Sequence, residues 1–390
     1  MARANVDRRY LASVRVRLDH LFETARSEEY HPATDRVIVF SDHHRGTGDG
    51  ADDFRHCEHA YTAALGYYLE SGYRLMLLGD VEELWEVTKP AKIFARYNDV
   101  MRLERAFEQR GGVTRFWGNH DDRWSRSSAV RNELRSQIGG APMLEGLKLQ
   151  VYRGSDACVT MLFAHGHQGT PDGDRFSALS RLPVRYLWTA IQRWQGATAT
   201  TPAHDHALRA KHDVAMFEWA REQRGRILIA GHTHKPVFAG STPDSPVTRS
   251  VPDLEAALAE ARTRTDGTGQ PGAAAIAAEL EYARTLIRRP DVTTSLDPPC
   301  YFNTGCCSFP DGDITGIELA DGEIRLVRWP ANLAEFRRPG DAGLDPGKRI
   351  LASAALDAVL DAVAHPRAGA TISQLALAPP PVTSATGGPS

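Results

Sequence analysis

Five short polar clusters stand directly behind apolar runs in this chain. They are Asp42-x-His44 after VIVF, Gly79-Asp80-x-x-Glu83 after RLMLL, Gly118-Asn119-His120-Asp121 after TRFW, His165-Gly-His167 after VTMLFA, and Gly231-His232-Thr-His234 after RILIA. Carboxylates, imidazoles and an amide at the ends of buried strands are costly unless something binds them. As a set they suit a borderline divalent cation such as Mn²⁺, Fe²⁺ or Zn²⁺. They outnumber what one ion needs, so two ions sharing one carboxylate is the economical arrangement. Two ions about 3.5 to 4 Å apart clamp a phosphoryl group, lower the pKa of a bridging water and stabilise a leaving oxygen. Alternate side chains of an extended segment share a direction. That expectation points Asp42 and His44 together with His43 opposite, and His232 and His234 together with Thr233 turned away.

The elements that must carry these clusters follow from periodicity. VIVF leads to a helix from about Asp53 to Glu70 closed by Gly72, then to RLMLLGD, then to a helix that opens at Pro90 and stops near Gly111. Further strands are expected at TRFWGNH, CVTMLFAHGH, RILIAGHTH and CYFNTG. Strands alternating with helices are the α/β signature, and open α/β sheets place ligands at the carboxyl ends of their strands. ITGIELADGEIRLVRW alternates apolar and polar residues on both sides of Asp321-Gly322, a hairpin signal.

D-x-H, GD-x-x-E, GNHD, H and GHTH, in this order, resemble the calcineurin-like metallophosphoesterase superfamily over roughly residues 35 to 330, apart from a second insert. The resemblance implies two mixed β-sheets in a four-layer sandwich flanked by helices, with helical inserts. It implies one metal held by Asp42, His44, Asp80 and His234, and another held by Asp80, Asn119, His165 and His232, with Asp80 as the bridge. Two divalent ions are therefore expected, Mn²⁺ first, with Fe²⁺ or Zn²⁺ as alternatives. The resemblance also implies that His120 faces the substrate and assists the leaving group and that Glu83 orients its imidazole. The mechanism implied is in-line attack on phosphorus by metal-bound hydroxide, with Asn119, His120 and Arg45 stabilising the phosphoryl oxygens. Gly46 is expected to open room for a phosphate to approach the backbone.

GDVEELWE, with Trp85 two residues after Glu83, and a helical segment before GHTHKP are similar to the UDP-2,3-diacylglucosamine pyrophosphatase subgroup. SDHHRG, HGH in place of HGD, the second insert and NTGCC depart from that pattern. The reading is a dinuclear hydrolase of a phosphodiester, diphosphate or phosphomonoester, with a phosphorylated small molecule as substrate. The alternatives are a metal-binding scaffold without turnover and a protein phosphatase. The last is disfavoured because GDVEELW replaces GD-x-V-D-R-G.

The remaining composition sets bounds. In 390 residues, 46 basic and 49 acidic side chains give a net charge of -3, so no charge imbalance points to nucleic acid or an anionic membrane. Neither a signal peptide nor a membrane span is legible, and a cytoplasmic setting is expected. No feature sets an oligomeric state. The cysteines Cys57, Cys158, Cys300, Cys306 and Cys307 lack CxxC spacing and are read as buried thiols. One domain is expected over residues 1–365, with a helical cap insert at about 174–224, a second helical insert at about 241–298 and a disordered tail at 366–390. The second insert could be a lid, an oligomer contact or a passive excursion. His204, His206 and His212 are read as a solvated helical face, Trp188 and Trp194 as core packing, and His167 as facing the site.

Overall fold

The computed structural model describes residues 8–170, 202–222, 224–238, 293–294, 298–331 and 347–365. The second insert lies outside them except for isolated residues, as do the first insert before Pro202, with Trp188 and Trp194, and the 366–390 tail.

Two seven-stranded sheets make the centre. One runs β14 (Arg349–Ala355), β13 (Glu323–Trp329), β12 (Ile314–Ala320), β2 (Val37–Phe40), β3 (Arg74–Leu78), β4 (Val113–Phe116) and β5 (Met143–Leu144). The other runs β1 (Arg26–Tyr30), β6 (Gly146–Arg153), β7 (Asp156–Ala164), β8 (Arg226–Ala230), β11 (Tyr301–Thr304), β9 (Pro236–Phe238) and β10 (Thr293–Thr294). Both are mixed. β2 to β5 are parallel neighbours, and β12 joins β2 antiparallel. β7, β8 and β11 are parallel, and β6 and β9 flank them antiparallel.

The parallel strands read as unbroken apolar runs because both faces are covered. Val37, Val39, Met76 and Leu78 share one core with Leu149, Phe163 and Ile229 of the facing sheet. Ile38, Phe40, Leu75 and Leu77 point the other way, into a core with Tyr61 and Leu65 of helix α2 (Glu58–Glu70), Ile93 of α3 (Pro90–Arg96) and Met101 of α4 (Asn98–Ala106). Beyond the second sheet, α1 (Arg8–Thr24) packs on the helix Pro202–Arg221, with Val14, Leu18, Met216 and Phe217 buried in the inter-sheet core's cluster. This is the expected α/β architecture of two mixed sheets flanked by helices.

Local details depart from expectation in two places. The first helix begins as a 3₁₀ turn over Asp53–His56 before α2 proper. The helix opening at Pro90 breaks at Tyr97, whose hydroxyl turns inward and donates to buried Asp52 at 2.6 Å. The hairpin forms as read: Asp321 and Gly322 have φ of 55° and 74°, the left-handed pair that a tight turn between twisted strands requires.

Candidate metal centre

Five loops leave the carboxyl ends of β2, β3, β4, β7 and β8 and converge. Asp42, His44 and His234 bring their ligand atoms within 4.8 Å of one another, and so do Asp80, His165 and His232. Asp80 Oδ2 stands between the groups, 3.1 Å from His165 Nε2 and 3.9 Å from His44 Nε2. Asp42 Oδ1 lies 3.2 Å from His234 Nε2, 3.9 Å from His44 Nε2 and 4.0 Å from His165 Nε2. Asn119 Oδ1 is 3.3 Å from His165 Nε2. All seven residues singled out as ligands from sequence are thus in one cluster, and all but His234 and His232 are nearly sealed from solvent.

The backbone under them is unusual. Asp42, His44, Asp80, His232 and His234 have φ of 53°, 50°, 51°, 69° and 56°. Among the described residues, only Asp321 is another non-glycine with positive φ. Such conformations cost on the order of 1–3 kcal/mol each and persist only where the surroundings over-determine them. Neighbouring glycines make the room. A Cβ on Gly79 would sit 2.7 Å from the His165 ring, and one on Gly118 would run into the Asp80 carboxylate.

The donor set could hold metal ions. Asp42 Oδ2 accepts from His232 N at 2.9 Å and from Ser41 Oγ. Oδ1 is buried and has no hydrogen-bond partner among the described residues, although three imidazoles surround it. A buried carboxylate oxygen left this way is costly without a cation. Electrostatics tell the same story. Burial pulls the His44 imidazole down, but Glu83, Asp80 and Asp42 more than offset this and raise it to about 10. Burial is likewise overcome at His165, which Asp80 and Asp42 raise to about 9. The imidazolium charges hold Asp42 below the usual carboxylate range despite its burial.

Beside the pair of groups, His120 Nδ1 is 2.6 Å from Glu83 Oε2, which also lies 3.0 Å from His44 Nδ1. Burial opposes protonation of His120, and Glu83 and Asp80 raise its pKa. Trp85 stacks on the His120 ring with centroids 3.9 Å apart while remaining 38% exposed. That stack was not legible from the motif. Asp121 closes the same loop, accepting from Gly118 N at 2.6 Å and Val81 N at 2.9 Å.

Other expectations need correction. Arg45, expected at the phosphoryl oxygens, is fully buried on the opposite side, paired with Glu104 and lying over the rings of Phe54 and Tyr61. The reason is long-range pairing: buried Glu104, which also bonds Tyr61, draws the guanidinium to that side. His43 is packed against Tyr61 with ring centroids 4.7 Å apart. Gly46 makes room for the Asp52 side chain, not for a ligand, because a Cβ there would meet it at 3.0 Å. His212, read as solvated, is buried: Nδ1 is 2.7 Å from Tyr10 Oη, and Nε2 donates to Gly166 O. The side chains of His204 and His206 lie outside the description. His167 stands beside the second group, with its ring 5.5 Å from His165 and 5.2 Å from Trp117. Burial, then the charge of His165, lowers it to about 3. Cys306 and Cys307 are buried, and the Cys307 amide donates to Ser41 O at 3.1 Å, so this segment supports the SDHH loop from behind.

No protein-family model matches the chain, and no curated protein matches it. A solved structure from Streptococcus pneumoniae TIGR4, described as a conserved uncharacterized protein and predicted phosphoesterase, is similar over 82% of this chain and 97% of that one, with 11% identity and a TM-score of 0.27. So slight a likeness bears no weight for the site, and the functional reading rests on side-chain geometry. No helix among the described residues is long and apolar enough to cross a membrane.

Proposed function

We propose that this chain is a calcineurin-like metallophosphoesterase, a dinuclear metal-dependent hydrolase of a small phosphodiester, diphosphate or phosphomonoester. The observation that carries the proposal is Asp80 Oδ2, placed between two groups of carboxylate and imidazole donors. Asp42, His44, Asp80 and His234 would hold one ion, and Asp80, Asn119, His165 and His232 the other, with Mn²⁺ first among Mn²⁺, Fe²⁺ and Zn²⁺. Bound there, the ions would neutralise phosphoryl oxygens and furnish a nucleophile at neutral pH.

The chain's own residues do the rest. Glu83 accepts the Nδ1–H of His120 and, with Asp80, raises that imidazole's pKa, so the protonated ring can give its Nε2 proton to the departing oxygen and return to the neutral form. The Trp85 stack holds the plane of that ring, and the His120 backbone amide donates to Asp80 Oδ1 at 2.8 Å, tying acid and bridge together. A nucleotide-sugar diphosphate is the first natural substrate class to try, since GDVEELWE and the helical segment before GHTHKP are similar to the UDP-2,3-diacylglucosamine pyrophosphatase subgroup. We read residues 1–365 as one domain and the cytoplasm as its setting.

The test is metal content by mass spectrometry together with initial rates on a chromogenic phosphodiester and a chromogenic phosphomonoester, with Mn²⁺ and with chelator. Two bound ions and chelator-sensitive hydrolysis support the proposal, and the ratio of the rates selects the ester class. A chain that binds no ion and cleaves neither ester refutes it.

A further inference from the structure

The helix Pro202–Arg221 falls in the segment that sequence assigns to a cap, yet two consecutive residues on it engage two different ligand-bearing loops. His212 Nε2 donates to the carbonyl of Gly166, between His165 and His167. Asp213 Oδ1 accepts from Thr233 Oγ1 at 3.0 Å and from Tyr301 Oη at 2.7 Å. Thr233 is buried between His232 and His234, its side chain facing away from both groups of donors. Asn303 completes the backing: its amide nitrogen donates to Gly231 O at 2.6 Å and lies 3.2 Å from Thr233 Oγ1.

This arrangement bears directly on metal affinity. His232 and His234 belong to different donor groups, and both sit on left-handed backbone, with φ of 69° and 56°. A loop in that conformation needs external anchors to hold it. The one side chain between the two histidines is anchored to a helix on its far side. Resting on the dinuclear reading above, we propose that Asp213 and Thr233 are a positioning pair that sets the affinity of both metal sites at once. The helix is therefore part of the metal centre's frame, and its role is not limited to covering substrate. Removing residues that orient ligands costs metal affinity on the order of 10–100-fold. Here the cost should fall on both ions, because one anchor serves both histidines.

Thr233→Val keeps the side chain's shape and removes the hydroxyl; Thr233→Ser keeps the hydroxyl. Metal-free full-length wild type and both variants are titrated with Mn²⁺ by calorimetry, and their metal-free thermal melts are recorded alongside. The expected result is that Thr233→Val weakens both binding events on the order of 10–100-fold, while Thr233→Ser binds like wild type. Asp213→Ala, which removes the contact from the helix side, should repeat the joint loss if Thr233→Val does not fold. Two ions bound with wild-type affinity by Thr233→Val overturns the pairing, as does a loss confined to one ion. A merely structural role would lower the melting temperature and leave affinity below that temperature unchanged. Wild type that binds no Mn²⁺ overturns the metal reading itself, and with it this inference.

Discussion

Replacing Arg45 by methionine separates a structural role from a catalytic one. The guanidinium is fully buried, bonds Glu104 and lies 4.9 Å from the Phe54 centroid and 5.4 Å from that of Tyr61. Without it, the buried Glu104 carboxylate keeps only the Tyr61 hydroxyl at 2.9 Å and Arg115 Nη1 at 3.6 Å among the partners described. Breaking one side of a buried ion pair costs about 3–5 kcal/mol. The surviving Arg115 puts the expectation near the lower end, ~3 kcal/mol. For a chain of 390 residues that corresponds to a fall of roughly 4 °C in melting temperature. The double variant Arg45→Met/Glu104→Leu should recover most of the loss, because removing both charges leaves no orphan and Arg115 still holds Glu82 at 2.5 Å. Thermal melts by circular dichroism of the single and double variants measure this, and hydrolysis at low temperature measures the rest. Wild-type melting combined with a drop in rate of about 100-fold would refute the reasoning and return Arg45 to the phosphoryl oxygens.

Asp80→Asn should bind fewer than two ions and lose hydrolysis while keeping its circular dichroism spectrum; two bound ions and full activity would remove Asp80 from the bridge. His120→Asn should slow cleavage of an ester with a basic leaving group by about 10²–10⁴-fold, and a p-nitrophenyl ester far less, because that leaving group needs no proton. Gly231→Ala should weaken Mn²⁺ binding in calorimetric titration, since the new Cβ runs into Ser41 Oγ and the Asp42 carboxylate. Acid stability should depend on Glu318. Burial pushes its carboxyl up, but Lys348 and Arg325 hold it below its ordinary 4.5. A depressed carboxylate contributes stability above its unfolded pKa and loses it as pH falls through the folded one. Lys348→Met should therefore move the acid-unfolding midpoint to higher pH, and an unchanged midpoint would deny the linkage.

The apolar runs, their spacing and the polar clusters behind them determined the α/β class and the candidate donors, which follow from local periodicity and residue chemistry. The two mixed sheets were implied by the family resemblance that the ordered motifs carry. The hairpin at Asp321-Gly322 was legible locally, because two residues alone decide that turn. The common direction of Asp42 and His44 was also legible, though the extended-strand argument for it did not describe the backbone: both residues are left-handed. Glycines at 79, 118 and 231 permit this by yielding space to side chains from other strands. Only tertiary structure decided where Arg45 goes, because Glu104 and Tyr61, which draw it away from the site, are distant in sequence. The same holds for His212 and Asp213. Read along the chain they are polar residues on a helix with little amphipathic pattern, and nothing local marks them. Their partners, Gly166 and Thr233, become neighbours only when β7, β8 and the helix Pro202–Arg221 pack together. Residue type and spacing therefore determined which groups could hold a metal, and long-range packing decided which groups hold those groups in place.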